Sequence, residues 1–382
     1  MKYSWILFFA SICFACHSSV PQGRSCKTMT LDCSDNLWSV DVSHLFEPNL
    51  EIIPLETTDN CLVRADDQKW VTEKYIYITD RVSKKIFMFD WKGKYLRTIG
   101  QIGRGPGEYV DLNGMCVVRD TLYVHDQVQS KLIAYPVQGG QFHEIFIAPP
   151  IYSSELATAG NYLYFITNYT NGYNLIRMDL KNYSTQHFLP YDSEIEKNGS
   201  WWGLNNFSSS YRDSLIFTFS QNDTIYGLSD NVPKPLYSIN FPHNKIPENL
   251  LTLNGTQILQ IALKDGYITG LDEIYNTKSF IMGGFGKGNQ CFYFMYSKTD
   301  ESAIVARSLN LDAFGKLSLY NYLPTDNDEL VFFYDVLFLK EVWKLIISKN
   351  DFQNPKIKEQ LEQVIQNAKD DDNPIMFKIR FK

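Results

Sequence analysis

His125 and Asp126 stand side by side in TLYVHD, and a histidine beside a carboxylate is a common arrangement for moving a proton. Adjacent strand residues point to opposite faces, however, so these two are poorly placed to share one. Asp126 has a counterpart in Asp80, and an aspartate at a strand end commonly accepts hydrogen bonds from turn amides. A structural role is therefore expected of both aspartates. The stretch IGQIGRGPGEY, residues 99–109, has glycines at 100, 103, 105 and 107, a spacing that fits neither of the phosphate-binding glycine patterns. The strand-like runs LNGMCVV and TLYVHD follow it, so no helix N-terminus is offered to a phosphate. It reads as a turn, with Arg104 and Glu108 forming an ion-pair clamp or touching a ligand. Trp201 and Trp202 lie in the polar loop NGSWWGLNNF, where aromatic faces beside amides suit a sugar or a peptide, or else fill a gap between sheets. The six histidines lack metal-ligand spacing and no C-x-x-C occurs, so no metal and no cofactor is predicted.

The 382 residues are 44% hydrophobic and 21% charged, which is an ordinary globular balance. Tyrosine (24) and phenylalanine (25) are abundant, and this favours strands. A net charge of -7 without a basic run argues against nucleic acid as a partner. The N-terminus, MKYSWILFFASICFAC, has one lysine and then an apolar run too short to span a bilayer but right for a signal peptide. Export is expected. The ending C-F-A-C resembles a bacterial lipobox, with Cys13 where leucine is usual, and makes Cys16 the candidate for lipidation. Ordinary cleavage nearby is the alternative. A lipid there would be the only link to a membrane. Cys26 and Cys33 are near enough in sequence to pair after export, whereas Cys61, Cys116 and Cys291 read as buried thiols.

Residues 76–94 align without a gap on residues 122–140, matching Tyr77 to Tyr123, Asp80 to Asp126, Lys85 to Lys131 and Gly93 to Gly139. The repeat of about 46 residues is the size of a propeller blade. Each copy alternates at period two, as strand, turn, strand, turn, strand, and such a meander buries both faces only by stacking on other copies. Counting weaker copies gives five or six. One helix is expected near residues 354–371, with Ile357, Leu361, Val364 and Ile365 on one face. The tail PIMFKIRFK should return to pair with residues 51–55 and close the ring.

With IPLETTDNCLV, YIYITDRVSKKIFMFD, GRGPGEY, DTIYGL and DDDNPIMFKIRFK in place, the chain resembles the exported six-bladed β-propeller proteins of Gram-negative bacteria. These are mostly lipoproteins, grouped as a domain of unknown function and related in pattern to NHL and TolB propellers. The resemblance implies an all-β six-bladed propeller with one short C-terminal helix. It divides the chain into a signal peptide (1–15), a tether (16–39) and the propeller (40–382). It brings no catalytic set. The function expected is a monomeric cell-envelope lipoprotein that binds a glycan, a peptide or an envelope protein without catalysis. The alternative is a propeller-type hydrolase or lyase with its site at the channel mouth, for which Asp80, Asp126, His125 and Glu108 are the first suspects. RNA binding conflicts with both export and the acidic balance.

Overall fold

The computed structural model describes residues 26–191 and 208–382, except positions 81, 113, 213, 221, 251 and 252. Its first blade is the antiparallel meander Gln68–Val71, Tyr75–Thr79, Ile86–Asp90 and Tyr95–Ile99. Period-two alternation sends Ile76, Ile78, Phe87 and Phe89 to one side, against Val331, Phe333 and Met376 of the last blade. Tyr77, Ile86 and Met88 go to the other, against Leu122, Val124 and Ile133 of the next. Each blade therefore buries both faces, and the apolar surface so removed is what holds the ring together.

The second and third blades repeat the pattern from Gly114–Val118 to His143–Phe146 and from Glu155–Ala159 to Thr185–Pro190. The fourth runs from Ser208–Tyr211 to Val232–Asn240, and Lys27–Thr30, in the stretch read as a tether, adds a fifth, parallel strand at its outer edge. The fifth runs from Ile268–Asn276 to Ala303–Ala306. The last combines Leu323–Pro324, Glu329–Tyr334, Ile375–Phe381 and Phe46–Pro54. There the tail strand pairs with the early strand, Phe377 opposite Ile52, so the two ends of the chain close the ring.

The blades number seven among the described residues, not six. The extra sheet is Leu309–Leu311 and Leu317–Ser318 with Val40–Asp41, the last pairing in parallel with a strand far along the chain. A pairing that remote leaves no hairpin periodicity, and a count of local repeats passes over it. The loop GRGPGEY does connect blades, but it follows the fourth strand of the first blade rather than a third, because Gln68–Val71 precedes the repeat that the sequence displays.

The single expected helix is also corrected, to three α-helices among the described residues: α1 (Gly255–Asp265), α2 (Val336–Leu345) and α3 (Pro355–Asn367). The expected one is α3, capped by Asn354, with Ile357, Leu361 and Ile365 buried. Both α2 and α3 are inserted between the second and third strands of the last blade. No helix among the described residues is long and apolar enough to cross a membrane.

Candidate binding site

The GRGPGEY turn is clamped, though not by the expected pair. Glu108 Oε2 accepts from the Gly105 amide at 2.8 Å and its Oε1 accepts from Gln101 Nε2 at 2.9 Å. Arg104 is exposed and makes no ion pair among the described residues. A side chain at Gly103 would place its Cβ 1.9 Å from Glu108 Oε2, which is why glycine stands there. The loop is further fixed from the second blade: Tyr135 donates its hydroxyl to the Gly107 carbonyl at 2.8 Å, and the Gly107 amide donates to Glu144 Oε1 at 3.1 Å. That oxygen also accepts from Lys131 Nζ at 2.6 Å, and this bond holds the Glu144 carboxyl below its ordinary range. Lys131 is only 3% exposed. Glu144→Ala would strand a buried ammonium, so the urea midpoint should fall by an amount equivalent to about 3 kcal/mol.

Asp80 and Asp126 hold turns, as their repetition suggests. Asp80 accepts from the amides of Val82 and Ser83, each at 3.0 Å, and from the Ser83 hydroxyl. Asp126 accepts from the Val110 amide at 2.6 Å and from the Gln129 amide at 3.1 Å. His125 faces away from it. Its ring meets Phe165 edge-on at 5.0 Å, and Nδ1 lies 3.0 Å from the Ser153 hydroxyl. Burial pushes the imidazole down to about 4, so it is neutral at pH 7. The unfolded chain binds that proton near pH 6.5, so the native state should lose up to about 3 kcal/mol as pH falls from 6.5 to 4. His125→Gln should flatten that limb of a stability profile. Trp201, Trp202 and Cys16 lie outside the described residues. Cys26, which is exposed, and Cys33, which is buried, are both free thiols.

The chemistry that sequence reading missed lies on the propeller axis. One cavity of about 420 Å³ opens among the inner strands of the four- and five-stranded sheets. A larger one, of about 650 Å³, opens at the other mouth, and Gln68, Lys69, Tyr275 and Leu323 line both. Among the described residues, the wall of the larger cavity carries six acids, Asp66, Asp67, Asp80, Asp111, Asp272 and Glu273, against two lysines, Lys69 and Lys84. Lys84 is spent on Asp111 at 2.6 Å. Lys69 donates to the Ala65 and Asp67 carbonyls and sits over the Phe333 ring. No cation pairs with Asp272 or Glu273 among the described residues.

These two consecutive carboxylates reach one cavity because the strand is irregular. Leu271 pairs with Phe285 and Glu273 with Gly284, so Asp272 is the extra residue of a bulge and the alternation is broken. The facing strand reads MGGFG, and its missing side chains make room. A Cβ on Gly284 would stand 3.4 Å from Glu273 Oε1, and one on Gly286 would stand 3.6 Å from Asp272 Oδ2. Burial pushes Asp272 up to about 6. Glu273 is pushed up to about 7 by burial and by Asp272, against a hydrogen bond accepted from Tyr275 at 3.0 Å. Beside them Tyr293 is also raised, chiefly by burial, and Cys291, expected to be buried, is exposed, although desolvation by the surrounding wall still raises its thiol. The signal in the sequence is the doublet in GLDEIY followed by GGFG, which is legible only once the two strands are known to pair.

The sequence pattern of a family described as a domain of unknown function, DUF4934, matches residues 28–380. The chain belongs to this family. No curated protein matches the sequence significantly. Among solved structures, the DUF4934 chain resembles a "Putative exported protein" from Bacteroides fragilis at a TM-score of 0.73 and 18% identity, covering 93% of this chain and 100% of that one. It also resembles a member of the DUF4221 family from Bacteroides vulgatus at a TM-score of 0.51 and 11% identity, covering 88% and 97%. At such identities the likeness concerns the fold alone, and the site rests on the geometry above.

Proposed function

We propose that this DUF4934 chain is an exported binding module, without catalysis of its own, that takes a glycan, a peptide or a segment of an envelope protein at the acidic mouth of the propeller. The observation that carries this reading is the cavity of about 650 Å³ and its two half-buried carboxyls, with which no cation pairs among the described residues. Desolvated charges without partners weaken the fold, and sites that bind are where such groups accumulate. The residues first suspected of catalysis, Asp80, Asp126, His125 and Glu108, are occupied in holding turns and packing, which leaves the enzyme reading without its suspects. Export is supported by the N-terminal apolar run and by the likeness to a protein described as exported. A lipid on Cys16 would tether the ring to a membrane. Intact-mass analysis of membrane-extracted protein should show a diacylglycerol adduct that Cys16→Ser removes.

A thermal-melt screen of the chain against glycans and peptides tests the binding reading. A ligand at about a hundred times its Kd adds roughly 2.7 kcal/mol and raises the midpoint. The shift should vanish in Asp272→Asn/Glu273→Gln, and ligands whose shifts survive in that variant would refute the site. One observation favours a hydrolase or lyase at the same mouth: Glu273 is poised near neutrality, where a general acid or base is most effective. Consumption of a ligand found in the screen, with a rate lost in Glu273→Gln, would establish that reading instead.

A further inference from the structure

The acidic mouth has an apolar rim. Val82, 78% exposed, tips the turn that Asp80 holds, and Val128, 54% exposed, tips the equivalent turn of the second blade. Ile102 is exposed on the connection leading to Asp111 and Tyr152 (52%) on the one leading to Ser154, both of which end at the cavity wall, and Phe146 (73%) ends the outermost strand of the second blade just before the latter. Single exposed apolar side chains are ordinary, but four on turns and connections at this end of neighbouring blades, with Phe146 at a strand end beside them, offer apolar contacts to an occupant.

Polar groups are left over behind and on that wall. The Tyr322 hydroxyl is buried in the core behind it, has no hydrogen-bond partner among the described residues and lies close enough to Glu273 to feel its charge. Asn321, on the cavity wall, keeps its side-chain amide nitrogen unpartnered as well. Such groups cost stability unless an occupant satisfies them.

We propose that the occupant is a protein or peptide segment that lays apolar side chains on this rim and inserts a lysine or arginine side chain between Asp272 and Glu273. This rests on the binding reading above and names its ligand. Among the described residues the wall sets six acids against two engaged lysines, a balance that favours a cation and repels an anion. A guanidinium or ammonium would donate to both carboxylates. The Asn321 amide would meet a backbone carbonyl of the same segment. A sugar could use the floor, but it would leave the rim unmatched.

The test uses the whole chain on a biosensor against three pools of five-residue peptides with mixed apolar flanks. Their central residue is lysine or arginine in the first pool, glutamine in the second and glutamate in the third. The basic pool should be retained at least about tenfold more strongly than the glutamine pool, with the preference weakening as salt rises. Asp272→Asn/Glu273→Gln, checked for an intact melt, should abolish the preference. Phe146→Ser should lower retention of the first two pools and leave their ratio unchanged. Equal retention, a preference for glutamate, or a preference that persists in the double variant would overturn the proposal. If no peptide is retained while a glycan still depends on Asp272 and Glu273, the basic-segment inference falls and the site stands. If nothing depends on them, both fall.

Discussion

Asp272→Asn/Glu273→Gln should make the protein more stable at pH 8, by about 3 kcal/mol in total, while removing its ability to bind. Both carboxyls are held above their ordinary values, at about 6 and about 7, so the folded state keeps their protons more tightly than the unfolded chain does. Below about pH 4 both states are protonated and the variant should match the parent. As pH rises through 6 and 7 the folded parent must ionise two desolvated groups, and the cost is fully present by pH 8. Each shift taken alone corresponds to roughly 3 kcal/mol, and since the two carboxyls are coupled neighbours that stay partly exposed, about that figure is expected for the pair together. The midpoint of thermal unfolding should rise by roughly 4 °C at pH 8 and by nothing measurable at pH 4. A variant that is less stable at pH 8 would mean that the carboxyls hold the fold rather than serve a ligand. The slope is opposite to that of His125, so the two can be separated in one set of pH-dependent melts.

Deleting residues 374–382 should abolish cooperative unfolding altogether. The strand Ile375–Phe381 lies between Glu329–Tyr334 and Phe46–Pro54, and its removal leaves two unpaired edges where the ring should close. Phe377 is fully buried and stacks on Phe332 with centroids 5.1 Å apart. Phe377→Ala is the milder form of the same experiment and should lower stability by about 4 kcal/mol, read from a urea transition with an unchanged slope. A truncated chain that melts within a few degrees of the parent would show that the other blades hold without closure.

Much of the ring was legible in the sequence because its physics is local. Ile76, Tyr77 and Ile78 alternate sides whichever blades lie beyond them, and the Asp80 and Asp126 turns repeat with the strands. Other features depended on partners far away in the chain. Val40–Asp41 finds Leu309–Leu311 across more than half of the sequence, which produced the seventh blade. The run VFFYDVLFLKEVW is mostly apolar, interrupted only by Asp335, Lys340 and Glu341, so period alone could not tell where Glu329–Tyr334 ends and α2 begins. In contrast, α1 carried a readable start, since Asn254 and Gln257 form a reciprocal capping box. The site was the least legible part. Asp272 and Glu273 look like surface residues until a bulge turns them to one side and the glycines of the next strand open space beneath them.

The measurement that bears most directly on the acidic mouth is carboxyl labelling with a water-soluble carbodiimide and a glycine ester at pH 7, read by peptide mass spectrometry with and without the ligand from the melt screen. Carbodiimides activate protonated carboxyls, and Glu273 keeps a large share of its proton at that pH. The peptide carrying Asp272 and Glu273 should label ahead of the ordinary surface acids and be protected when the ligand is present. Labelling no faster than at exposed carboxyls, or undiminished labelling while the ligand still shifts the melt, would place the binding site elsewhere.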